Sequence, residues 1–401
     1  MILHNTTILC TSLALAVPAL RDCDVDVDVD VVDIDKHDEH DKPDYKPPAF
    51  DLCVNPGGTK HCYPSVQEAV DDAEPGDVIF VFAGEYVEDV TIPIPLTLRG
   101  EGAGTCGPER DFASAYESLI NGRVTITAPD VTLDGFSLTV EPSGSGFRVG
   151  VRVQIDGDNA AIVNNIIHGI VSDGSTTSDN AQGIYLENGP DDVAIVCNDI
   201  SRIEGFGSTK GIFIGDSSSV DGSVGILIKR NEIHDIESRG RGGYAILANN
   251  GAGVVNGGGA SIEILDNKIQ DIIGGSDPLV TTGWAHAIGL ECDTPASKVL
   301  HNQISDIRDL TAPLDEVAVF FEANPSFTQV PVNKNQFEMV ALGIALHSNL
   351  NPVPGWVDGT CNWWGAANGP GFVGGGNGVG VGPKVDFDPW LISPNGPCSG
   401  T

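Results

Sequence analysis

The chain has 401 residues, with 50 Gly and 25 Pro against 6% aromatic and 41% hydrophobic content, which excludes a wholly disordered chain and points to a fold built of many turns. Its formal charge of −35 makes duplex DNA and anionic lipid unsuitable partners. A polyuronate would be repelled as well, unless calcium or a local basic patch intervened.

Residues 8–20, ILCTSLALAVPAL, are too short for a membrane span, and Val17 and Ala19 suit a signal-peptidase site, so residues 1–19 are expected to be an export leader. No later segment is long and apolar enough to cross a membrane. Removal of the leader takes Cys10 with it and leaves eight cysteines, an even number suited to an oxidising compartment. Pairing is expected for Cys53 with Cys62 and for Cys361 with Cys398, one staple at each end of the folded unit, while Cys23, Cys106, Cys197 and Cys292 stay unassigned. Residues 20–50 are expected to be an acidic disordered linker; within them, residues 21–48 carry eleven acidic and four basic side chains, and their Asp-Val alternation would line one strand face with repelling carboxylates. Residues 49–401 retain −28, a charge that a saline habitat would explain equally well.

From Asn165 onward one phrase returns six times: NIIHGI, NDISRI at Asn198, NEIHDI at Asn231, NKIQDI at Asn267, NQISDI at Asn302 and NQFEMV at Asn335, at intervals of 33, 33, 36, 35 and 33. A second phrase alternates with it: GVRVQ from Gly150, GIYLE from Gly183, GIFIG from Gly211, AILAN from Ala245, AIGLE from Ala287, AVFFE from Ala318 and GIALH from Gly343. A third apolar pair, such as Val193 and Ile195, lies between them. Three short strands per repeat cannot bury an apolar face alone, so the repeats must stack as coils at roughly 4.8 Å. The Asn at each bend is then expected to bond to its equivalents above and below, as a structural ladder.

These phrases resemble those of the right-handed parallel β-helix, or pectin-lyase-like, superfamily. Residues 63–102 are similar to its N-terminal module, a short helix with Val66, Ala69, Val70 and Ala73 on one face capping the first coils, and residues 356–401 to its closing module. The resemblance implies an all-β, single-domain solenoid over 51–401 with three strands per coil; the chain is expected to be a monomer. Its substrate clefts commonly run along the sheet formed by the GIYLE phrases. The Arg or Lys base with calcium carboxylates of the family's lyases, the Asp cluster of its hydrolases and the glutamine-flanked Asp motifs of pectin methylesterases are all absent here.

On that sheet the outward candidates are Arg152, Tyr185, Glu187, Phe213 and Phe320 for substrate binding, with Tyr185 and Phe213 expected as an exposed strip for sugar rings. Glu291 and Glu322 fall on adjacent coils about 5 Å apart, a spacing at which carboxylates share a proton, bind a cation or act as a glycosidase pair. Arg230, in the basic group of Lys229, Arg239 and Arg241, is a candidate docking point for a uronate. Asp235, Asp271 and Asp306 stack four residues past the ladder; they are candidate calcium ligands or acceptors for turn N–H groups. His168 and His234 with Ser201 between them make a poor nucleophilic set. The expected function is a secreted or surface protein binding an extracellular polysaccharide, with no complete catalytic set. The alternatives are a polysaccharide lyase or glycoside hydrolase working in the same groove, with Glu291, Glu322 and Arg230 as its catalytic candidates, or a surface spacer or adhesin.

Overall fold

A computed structural model describes residues 49–399 except 142–144, 217–222, 251–260, 278, 282, 312–314, 323, 325 and 351–352. The expected leader and acidic linker, with Cys10 and Cys23, lie outside the described residues apart from 49 and 50. Among the described residues no helix is long and apolar enough to cross a membrane.

The chain is a parallel β-helix. Its strands fall into three long sheets: sheet A has ten strands, sheet B nine and sheet C eleven, and the neighbours in each come from successive coils. One coil runs from a short sheet A strand such as Ala194–Val196, through an Asn bend, to Asp199–Gly205 in sheet B and Thr209–Asp216 in sheet C. Pairing is parallel and in register, with Ile162 beside Ile195, Ile195 beside Ile228 and Ile228 beside Ile264. All four side chains are fully buried in one continuous core.

The Asn bends form a single file. Asn165 Nδ2 donates to Asn198 Oδ1 at 3.2 Å, and the links onward to Asn231, Asn267, Asn302 and Asn335 are each 3.0 Å. Each Oδ1 also accepts the backbone N–H of the Asn one coil before, as at Asn198 N to Asn231 Oδ1, 2.9 Å. Each Nδ2 donates in turn to a sheet A carbonyl, as Asn231 does to Ile195 at 2.8 Å. The bend thus satisfies backbone groups buried away from water. Asn362 continues the file one coil further, bonded to Asn335 at 3.1 Å.

The lower end is closed by the helix Val66–Asp72, which buries Val66, Ala69 and Val70. Its N-terminus is capped by Ser65 and by Glu88, whose carboxylate accepts the N–H groups of Val66 at 2.8 Å and Gln67 at 3.0 Å. Disulfides join Cys53 to Cys62 and Cys361 to Cys398. A third, Cys106 to Cys197, ties the segment after residue 100 across the bend between sheets A and B. There Gly107 N–H donates to Cys197 O at 2.8 Å, and a Cβ on Gly107 would lie 2.4 Å from Asn165 O, so only glycine permits this approach to the ladder. Cys292 is buried.

Candidate active site on the outer face of sheet C

Strand alternation breaks in sheet C. A Cβ on Gly183 would lie 2.8 Å from Ile200 Cγ2, and one on Gly211 2.7 Å from Ile233 Cγ2, so these positions face the core. The residues that follow, Ile184 and Ile212, are also core. Two successive inward residues shift the parity, and the residue before each small one faces out. This creates an outward row in register: Gln182 beside Lys210, Lys210 beside Tyr244 and Tyr244 beside His286. The repeated phrase does not reach any of the four, because each lies one residue before the Gly or Ala that opens it. A polar or aromatic residue directly before that small one was the available signal.

All four are buried: Gln182 is 3% exposed, Lys210 7%, Tyr244 3% and His286 4%. Above them are part-exposed groups, Phe213, Asn249, Trp284, Glu291, Phe320, Glu322 and His347. Glu291 anchors the cluster. Tyr244 OH donates to its Oε1 at 2.8 Å and Asn249 Nδ2 to its Oε2 at 3.0 Å, while the Trp284 indole N–H donates to the Tyr244 oxygen. Glu322 occupies the same position on the next coil, its backbone N–H bonded to Leu290 O at 3.2 Å. Its Oε1 is 3.7 Å from His347 Nδ1. The Phe320 ring lies 4.2 Å from that of His286, which is also 5.4 Å from Tyr244.

Burial sets the protonation of this cluster. The Glu291 carboxyl is pushed above the usual carboxylate range by desolvation, with the Glu322 charge adding to it and the Tyr244 and Asn249 bonds opposing it. Desolvation lowers Lys210 to about 8, and Glu291 resists that fall. His286 is lowered to about 3 by burial, so its ring is neutral at ordinary pH. The Tyr244 phenol is raised well above its ordinary value by burial and by the Glu291 charge.

Other sequence candidates fall differently. Tyr185 and Phe213 do stack, centroids 5.1 Å apart, but Tyr185 is only 8% exposed because the rings of Phe147 and Phe213 flank it. It is therefore no open platform. Arg152 and Glu187 are bonded to each other, Nε to Oε2 at 2.8 Å, with Gln154 on the same carboxylate at 3.1 Å, so they neutralise one another. Phe320 stands within the cluster. Arg230 does not: it sits at the bend between sheets A and B, exposed beside a cleft of about 380 Å³ with Pro108, Glu232, Asp266 and Lys268. Its basic neighbours in sequence diverge around the coil. Arg239 donates to the carbonyls of Ser172 and Gly174 at 3.1 and 2.9 Å, and Arg241 lies 5.9 Å from the Trp284 ring centre.

Asp235, Asp271 and Asp306 all have left-handed backbones, φ 53°, 54° and 56°, a conformation that Asp tolerates better than most residues. Arg308 bonds Asp306 at 2.8 Å and Asp271 at 3.3 Å, and His234 holds Asp235 at 2.8 Å. Backbone shape and these partners account for the column without calcium. Among the described residues no group of three or more His, Cys, Asp or Glu side chains converges to hold a metal. On sheet B, His168 Nδ1 is 3.1 Å from Ser201 Oγ, but Ser201 is 4% exposed and the Phe112 ring lies 4.7 Å from His168. The His234 imidazole is raised to about 9, first by its hydrogen bond to Asp199, so it is a cation rather than a base.

No protein-family model and no curated protein matches the chain. Among solved structures, a pectin methylesterase from carrot aligns at 14% identity over 75% of this chain and 84% of its own, with a TM-score of 0.39. A pectin methylesterase from Aspergillus niger aligns at 13% identity over 75% and 86%, TM-score 0.33. A Geobacillus virus E2 protein, ORF18, aligns at 14% identity over 71% and 54%, TM-score 0.26.

Proposed function

We propose that this is an extracellular protein that binds a polysaccharide along the outer face of sheet C. One observation carries the reading: the part-exposed aromatics Phe213, Trp284 and Phe320 alternate with Asn249, Glu291, Glu322 and His347 over five successive coils. Ring faces interleaved with hydrogen-bonding groups match the alternating apolar and hydroxyl surfaces of a sugar chain. Successive coils are about 4.8 Å apart, which spreads the row over roughly 20 Å, room for several sugar units. Three disulfides fit an oxidising compartment. Calcium has no part in this reading.

The test is a glycan-array and affinity-electrophoresis screen of residues 49–401, with Phe213→Ala and Phe320→Ala beside the parent. Binding that both substitutions weaken supports the proposal. Binding unchanged by either would move the site off sheet C.

A further inference from the structure

We propose that the protein has a second saccharide site, at the end of the coil closed by the helix Val66–Asp72, which holds a short stretch of uncharged sugar units. It lies beside the first two strands of sheet A, Leu52–Val54 and Val78–Val81, and is separate from the outer face of sheet C.

The space is already built. A cavity of about 740 Å³ opens among Phe50, Asp51, Asn55, Lys60, His61 and Phe82, within the range of about 300–1,000 Å³ that small-molecule sites occupy. The loop 55–62 forms one wall and is fixed at several points. The Cys53–Cys62 disulfide closes its base, and Tyr63 N–H donates to Cys53 O at 2.7 Å. Asn55 Oδ1 accepts the Thr59 N–H and its Nδ2 donates to Thr59 O, both at 2.9 Å. Pro56 packs on Gly84, where a Cβ would collide with the proline ring. A wall fixed before the ligand arrives spares binding the cost of ordering it.

Part of the lining is aromatic. Phe50 and Phe82 are both half-buried and line the cavity. Phe50 stacks on Phe80 with ring centres 5.9 Å apart and stands edge-on to Phe82 at 6.5 Å. Phe80 is thereby reduced to 1% exposure, so it supports the pair from beneath. Such rings give the apolar face of a sugar a surface on which to lie.

The rest of the rim is polar and carries both signs of charge. Lys60 and His61 line the cavity and are exposed, with left-handed backbones at φ 57° and 66°, a conformation unfavourable for side chains of this size. The disulfide-closed loop holds them in it. Neither side chain has a hydrogen-bond or ionic partner among the described residues. Asp51 shares the rim, its Oδ2 accepting the Val78 N–H at 2.9 Å.

This mixture chooses the ligand. A hydroxyl both accepts and donates, so sugar hydroxyls can accept from Lys60 and donate to Asp51 on the same rim. A carboxylate would lose to Asp51 what it gained from Lys60. The chain that leads into Phe50 opposes an anion further, since residues 21–48 carry eleven acidic against four basic side chains.

The experiment titrates the full chain by calorimetry with xylotriose, cellotriose, mannotriose and arabinotriose, and with trigalacturonate as the charged counterpart. Phe50→Ala and Lys60→Ala probe the cavity, and the pair Phe213→Ala with Phe320→Ala removes the sheet C platform. A neutral trisaccharide should bind, each cavity substitution should weaken it by about 3–10-fold, and the sheet C pair should leave that binding in place. Lys60→Ala decides the matter where Phe50→Ala disturbs the fold, because Lys60 has no partner there to lose. Binding indifferent to both cavity substitutions, or no binding of any of the five sugars, overturns this site. Loss confined to the sheet C pair also overturns it and keeps the reading of sheet C. Tighter binding of trigalacturonate than of the neutral sugars overturns the assignment of an uncharged ligand.

Discussion

Replacing Asn231 by Ala probes the physical basis of the coil at one residue. The side chain is 1% exposed and makes four hydrogen bonds: to Ile195 O at 2.8 Å, to Asn267 Oδ1 at 3.0 Å, and from the backbone and amide nitrogens of Asn198 at 2.9 and 3.0 Å. Asn198 Nδ2 keeps its bond to Ile162 O at 2.8 Å, and Asn267 Oδ1 keeps the Asn231 N–H at 2.9 Å. The substitution therefore deprives two buried backbone groups, Asn198 N–H and Ile195 C=O, of their bonds to this side chain. Ile195 C=O keeps its place in the parallel ladder beside Ile228, so Asn198 N–H is the group left unmet, and at about 1–3 kcal/mol for one such group the expected loss is about 1–3 kcal/mol. Urea unfolding followed by far-UV circular dichroism measures it, and hydrogen exchange at the Asn198 amide locates it, because a solenoid is destabilised coil by coil. A loss below about 1 kcal/mol with Asn198 protection unchanged would refute the view that the ladder supports the bends.

Four further outcomes are expected. Phe320→Ala should weaken glycan binding by about 0.5–1.5 kcal/mol or more, read by calorimetry. His286 has a folded pKa of about 3 against an ordinary 6.5, so the unfolded chain binds the extra proton between those values and stability falls as pH drops below 6.5. In His286→Phe the fall in urea midpoint between pH 6.5 and pH 4 should be smaller; an identical fall would place the buried proton debt elsewhere. Removing the Cys106–Cys197 link, which closes 91 residues of chain, with paired Ser substitutions should cost about 2–5 kcal/mol by the same urea assay. Excess EDTA should leave the thermal midpoint unchanged; a fall of several degrees would restore calcium to the Asp235, Asp271 and Asp306 column.

The coil was legible because its determinants repeat: an inward Ile, Val or Leu and a bend Asn return at the coil period, and each fixes its neighbours above and below. The outward row was less so. Lys210, Tyr244 and His286 come to one outward row only through the double inward step at the small residues, and a strict two-residue alternation hides that step. Arg230 misled in the opposite way, since nearness in sequence to Arg239 and Arg241 carries it around a corner of the coil. Register alone puts Glu291 and Glu322 on one face, but the Tyr244 and Asn249 bonds that hold Glu291 join residues 47 and 42 positions apart. No local pattern encodes such a contact. The burial of Tyr185 is not legible in the repeats, because Phe147, which packs on it edge to face at 5.9 Å, lies outside the repeated phrases.

The most direct test of the account is a crystal structure with the longest oligosaccharide that binds. The account predicts sugar rings on the outer face of sheet C, against Phe213, Trp284 and Phe320. Density on another face of the coil, with sheet C empty, would contradict it.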